Sequence, residues 1–185
     1  GGALFTQFAR QGKMDEYTIA YLKKAFFEEG KFEIKESDVY NDIGLGWDDP
    51  ENLKKDRVYE SNEGWIWDGS KNTEGITWGG CLESIDELLR HNIRIPTLTD
   101  FENIVLITET SEEIPTAEYV HKVYRVLGER GILGRIKAVL VGRPKAWEFD
   151  KQWDAYEKKK YKQKQRETIL RTVREYNKTA PVIQN

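Results

Sequence analysis

Ile104-Val105-Leu106-Ile107 is a continuous apolar run rich in β-branched residues, and Glu109 stands two positions beyond it. Such a run predicts a central, doubly buried strand. A carboxylate just past the C-terminal end of a strand of this kind occupies a favoured catalytic position in α/β proteins. The strand fixes the backbone while the side chain projects into the crevice at the sheet edge. The plainer alternative is that Glu109, Glu112 and Glu113 only complement the N-terminal dipole of the helix predicted to open at Pro115.

Downstream, Val120, Val123, Tyr124 and Leu127 form the apolar stripe of that helix before Gly128 and Gly131, and Ile136 to Val141 reads as another strand. Asp150 to Lys178 predicts a long helix, apolar at Trp153 and Tyr156 and again at Ile169, Leu170, Val173 and Tyr176, with a solvated Lys/Gln-rich middle. Ala180 to Asn185 reads as a short strand. Upstream, Leu82, Ile85, Leu88 and Leu89 recur at helical spacing. Val58-Tyr59, Gly64 to Gly69 and Gly75 to Gly80 read as short aromatic strands with glycine turns, an antiparallel meander. Glu36 to Arg57 is a polar loop centred on Trp47, Lys31 to Lys35 alternates as a half-buried strand would, and Asp15 to Glu29 is helical by period. The expected architecture is an α/β, α+β-like fold: a small mixed or antiparallel sheet flanked by helices.

The 185 residues are 38% hydrophobic and 12% aromatic, enough for one soluble globular domain over 1–185. A net charge of -3 offers no basic face to a nucleic acid polymer or an anionic membrane. No apolar run approaches the roughly 18 residues that span a bilayer. The lone cysteine, Cys81, has no partner for an internal disulfide, which with the lack of a signal peptide predicts a reducing, cytoplasmic setting. Leu4, Phe5 and Phe8 precede the only methionine, Met14, as though already part of a packed structure, so the chain reads as a fragment.

Other constellations are weaker. Tryptophans 47, 65, 67 and 78 are a possible stacking platform, but Trp65 and Trp67 in short strands predict core packing. Trp47, among Gly46, Asp48 and Asp49, has little to bury against and is the better ligand contact. Cys81 with His91 or His121 lacks the glycine that a nucleophile elbow needs, and His121, near Glu118 and Arg125, reads as solvated. No metal-ligand spacing is present and no cofactor is implied.

Taken in order, Gly75-Ile76-Thr77-Trp78-Gly79-Gly80-Cys81-Leu82-Glu83, Ile104 to Glu109, Ile132-Leu133 and Ile136 to Gly142 resemble the C-terminal domain of the LD-carboxypeptidase family, which includes the microcin C immunity peptidases. The opening Gly1-Gly2-Ala3-Leu4 with Phe8 resembles the segment leading out of that family's N-terminal domain. Asn62 to Trp65, the loop bearing Trp47, and Gln165 to Leu170 are closer to the microcin immunity branch.

The resemblance implies a two-domain serine carboxypeptidase whose nucleophile domain is absent here. Its serine would precede residue 1, and its histidine, in an Asp-Phe-Gly-His segment, would follow Asn185. Glu109 would be the triad acid that orients and stabilises the imidazole. The substrate would be a murein peptide or a peptidyl-nucleotide, the parent a monomer or homodimer, and the fragment inactive alone. Relatives often carry asparagine where Cys81 stands, which makes Cys81 a candidate substrate contact beside Trp47. The Glu112-Glu113 pair close to Glu109 adds negative charge, which weighs against an anionic nucleotide-like substrate at this edge. Two other readings are a carbohydrate-binding module using its tryptophans and a non-catalytic interaction domain.

Overall fold

A strand with no polar face needs a neighbour on each edge and cover on its faces. The computed structural model, which describes residues 14–46 and 48–185, gives Ile104–Glu109 two parallel neighbours, Ile76–Cys81 on one edge and Ala138–Val141 on the other. In chain order the helices are α1 (Glu16–Phe27), α2 (Leu82–His91), α3 (Leu98–Phe101), α4 (Ala117–Glu129) and α5 (Ala155–Tyr176). The strands are β1 (Val39–Tyr40), β2 (Glu60–Ser61), β3 (Ile66–Asp68), β4 (Ile76–Cys81), β5 (Ile104–Glu109), β6 (Ala138–Val141) and β7 (Val182–Gln184). Two compact units make up the chain, one within residues 1–64 and one within 65–185.

In the second unit the sheet order is β3-β7-β6-β5-β4, with β4 to β7 mutually parallel and β3 antiparallel to β7 at one edge. Because β4, β5, β6 and β7 cross the sheet in chain order, right-handed crossovers put their connecting helices on one face. Burial agrees with this. The row Leu106, Val139, Val182 is completely shielded and belongs to the core formed with Leu82, Ile85, Leu89, Val120, Tyr124 and Val173. The next row, Ile107, Leu140, Ile183, is only half-buried. The strand is central, as its apolar run requires, but it is fully buried on one face and partly on the other.

The mixed sheet flanked by helices is therefore present, whereas the aromatic meander is not. Ile66-Trp67-Asp68 pairs with Val182 to Gln184, and β2 pairs with β1 in the first unit. Trp67 is 61% exposed, against the expectation of core packing, while Trp78 is half-buried edge-on against Phe101 at 5.2 Å. The long helix begins at Ala155, where Asp154 and Glu157 form a capping box, so Trp153 lies outside it. Its Lys/Gln-rich middle is solvated on one face only: Lys159, Lys160, Gln163 and Lys164 are exposed, while Lys158, Lys162 and Gln165 are buried. Pro115 does not open α4 either. Thr116 caps that helix through the Tyr119 N–H, and Glu118 supplies the acid of its first turn.

In the first unit, α1 buries no residue, and Phe26 on its apolar stripe is 75% exposed. Residues 31–35 form no strand despite their alternation. Their backbone groups bond instead to two tyrosines of α1: Tyr17 donates to the Lys35 carbonyl at 2.6 Å, Tyr21 donates to the Glu33 carbonyl at 3.3 Å, and the Lys35 N–H donates to Tyr21 at 2.7 Å. The loop from 36 to 57 holds β1 and a 3-10 turn at Pro50–Leu53, which Asp49 caps.

Candidate active site

The parallel strands end in one row. Cys81 is opposite Glu109 in the β4–β5 register, Thr108 is opposite Val141, and Val141 is opposite Gln184. Two backbone bonds carry the ladder one residue further: Gly142 N–H donates to Thr108 at 2.8 Å and Asn185 N–H donates to Val141 at 3.0 Å. Cys81, Glu109, Gly142 and Asn185 thus stand side by side at the carboxyl edge of the sheet, where α/β folds bind ligands. Glu109 is the last residue of β5 rather than a residue beyond it.

A small pocket opens at this edge. Glu109, Thr110, Gly142, Gln165, Gln184 and Asn185 are among the residues lining it. Gln165 and Gln184 are 1% and 2% exposed, and each spends its amide N–H on a carbonyl: Gln165 on Pro115 at 2.7 Å, Gln184 on Arg166 at 3.3 Å. Their Oε1 atoms, with Thr110 Oγ1 and Asn185 Oδ1, are buried and accept no hydrogen bond from the described residues. Buried polar atoms are usually paired, so four open acceptors on the wall of one pocket, which Arg166 also lines, are available to hydrogen-bond donors.

The Glu109 carboxylate is half-buried, and no donor among the described residues is bonded to it. Burial raises its pKa above the ordinary carboxylate range, and the negative charges of Glu83 and Glu112 push it the same way. A neighbouring cation or imidazolium would relieve that strain. Among the described residues Glu109 is not bonded to the start of α4, whose cap is Thr116 and whose first-turn acid is Glu118. Glu112 and Glu113 are exposed.

Cys81 is half-buried at the N-cap position of α2, and its thiol donates to Glu83 Oε2 at 3.2 Å. Trp47 lies outside the described residues. His91 is exposed and pairs with Glu87 at 3.4 Å. His121 is half-buried, with Nδ1 2.9 Å from Thr172 Oγ1, so it is not the solvated residue expected. Thr172 donates its own proton to the Thr168 carbonyl, which leaves Nδ1–H as the donor of that contact. No group of acidic, cysteine or histidine residues among the described residues is arranged to hold a metal ion. None of the described helices is long and apolar enough to cross a membrane.

Sequence reasoning missed Gln165, Gln184, Gly142 and Glu83. A signal for Gln165 existed: stepping back from Val173 and Ile169 by threes and fours reaches Gln165, Lys162 and Lys158, the same buried face continued in polar residues.

No curated protein sequence matches the chain. Among solved structures it resembles an MccF-like protein from Streptococcus pneumoniae, crystallised with AMP, at 28% identity and a TM-score of 0.75, covering 94% of this chain and 50% of that one. An MccF-like protein from Bacillus anthracis matches at 18% identity and a TM-score of 0.65, covering 92% of this chain and 46% of that one. The microcin C7 self-immunity protein MccF, in complex with glutamyl sulfamoyl guanosine, matches at 14% identity and a TM-score of 0.74, covering 100% of this chain and 50% of that one. The chain therefore spans about half the length of these structures. The family model for the LD-carboxypeptidase C-terminal domain matches residues 74–185, from the Gly-Gly strand through β7, and the chain accordingly belongs to that family.

Proposed function

We propose that these residues are the C-terminal half of a serine carboxypeptidase, and that Glu109 is the acid of a Ser/His/Glu triad whose other two members lie outside residues 1–185. The observation that carries the reading is the position of Glu109. It ends an interior parallel strand, half-buried and without a described donor, in the row that also holds Asn185. In such a triad the serine hydroxyl attacks an amide carbonyl and the imidazole takes its proton. The acid accepts the other imidazole N–H and stabilises the imidazolium that forms. Burial has partly withdrawn Glu109 from water, so a cationic ring would gain from pairing with it.

The substrate of the parent would be an amide beside a free carboxylate. Ligands seen on MccF-type structures, AMP and glutamyl sulfamoyl guanosine, support a peptidyl-nucleotide over a murein peptide. Trp47 would stack on such a base, and Cys81, opposite Glu109, would touch the substrate near the cleaved bond. The test is Glu109→Gln in the full-length protein that contains this segment. Turnover should fall by about two to four orders of magnitude. Unchanged turnover would remove Glu109 from the mechanism.

The exposure of Trp67, 6.3 Å from Trp65, favours a second reading as an aromatic platform for a glycan. Glycan binding by the 185-residue chain that Trp67→Ala abolishes would support that reading.

A further inference from the structure

The turn after Glu109 is tied down at both ends. At its start Ser111 gives both of its donors to one side chain: Oγ donates to Glu83 Oε1 at 2.7 Å, and N–H lies 3.2 Å from each Glu83 oxygen. Glu83 sits in the first turn of α2, two residues after Cys81, and also accepts the Cys81 thiol. At the far end the Pro115 carbonyl accepts from Tyr161 at 3.0 Å and from Gln165 at 2.7 Å. Between the two ties Ile114, 3% exposed, has a φ of +53°. A β-branched residue holds that left-handed conformation only where its surroundings impose it.

Glu109 itself has no described donor to aim it, so its direction depends on the backbone that leaves β5. We infer that Glu83 is a positioning residue for Glu109: by clamping Ser111 it fixes the turn after β5 and with it the direction of the Glu109 carboxylate. The inference rests on the proposed role of Glu109 as the triad acid. A purely structural Glu83 would instead complement the α2 dipole, contributing to stability and not to turnover.

The full-length protein is assayed on whichever substrate it cleaves, a murein tetrapeptide for release of terminal D-Ala or aspartyl sulfamoyl adenosine for release of aspartate. Glu83→Ala should lower kcat about tenfold to a hundredfold with KM shifted less than about threefold, since the lost interaction aligns a reacting group rather than binding substrate. Glu83→Gln keeps an acceptor for Ser111 and should recover most of that loss. An unchanged kcat in Glu83→Ala, or a Gln variant as slow as the Ala variant, overturns the inference. If Glu83→Ala shows no cooperative melting, Ser111→Ala decides: a drop of about tenfold in kcat supports the clamp, and wild-type kcat overturns it. Glu109→Gln run alongside separates the two ideas. If Glu109→Gln is inactive while Glu83→Ala is fully active, only the clamp fails. If Glu109→Gln is fully active, the triad reading fails first.

Discussion

Gly142 lies so close to Glu109 that a Cβ built on the glycine would stand 2.9 Å from the Glu109 Cβ. The glycine is not in the left-handed region, so alanine meets no backbone penalty there and its effect comes through the contact. Gly142→Ala should displace the base of the carboxylate, lower turnover of the full-length protein about tenfold or more, and cost about 1–3 kcal/mol of stability. Steady-state kinetics beside thermal melting check both parts.

Glu109 also opposes the stability of the fold at neutral pH. Its folded-state pKa is raised above the unfolded value, chiefly by burial. The sign follows: the protonated form is favoured by folding, so the stabilising contribution is full below the unfolded pKa and lost as pH rises through the folded pKa. Glu109→Gln in the 185-residue chain should melt higher than wild type at pH 7, and the gap should close as pH falls through the carboxylate range. Parallel melting curves at several pH values give the answer, and a gap that widens toward acid contradicts it.

Thr108 and Tyr124 share a buried hydroxyl pair at 2.6 Å that ties β5 to α4. Burial lifts the Tyr124 pKa well above the ordinary phenol range. Tyr124→Phe leaves the Thr108 hydroxyl buried without its partner and should cost about 1–3 kcal/mol, a melting shift of several degrees. Thr108→Val with Tyr124→Phe should cost less than the two single changes added together, which a double-mutant cycle measures.

The two glycines of the Gly79-Gly80 pair are not equivalent. A Cβ on Gly79 would fall 1.8 Å from the Ile107 carbonyl oxygen, whereas one on Gly80 would meet nothing within 4 Å, although φ is positive at both. Gly79→Ala should abolish the cooperative unfolding transition seen by circular dichroism. Gly80→Ala should retain it, weakened by backbone strain of about 1–3 kcal/mol.

Features set by nearby residues were legible in the sequence. The run at 104–107, the α2 stripe of Leu82, Ile85 and Leu89, and Glu109 at the strand end all followed from spacing. Pairing between distant segments was not legible, because alternation says which side chains share a face and nothing about which strand lies alongside. Ile66-Trp67-Asp68 therefore read as part of a meander although its partner is Val182 to Gln184. Lys31 to Lys35 had the right period, yet two tyrosines took its backbone groups. Gln165 and Gln184 were overlooked at the site because polar residues default to solvent in a pattern reading. Here they are buried where the strands end.

Strand β7 lies between β6 and β3, although it comes from the far end of the unit. During synthesis the ribosome must release Gln184 before either neighbour can complete its hydrogen bonding, so β6 and β3 wait with open edges through the translation of α5. Such long-range closure folds slowly and leaves a nascent chain vulnerable to edge-to-edge association. A released chain truncated just before residue 182 should therefore be protease-sensitive and dependent on chaperones, although it contains every helix described for the core.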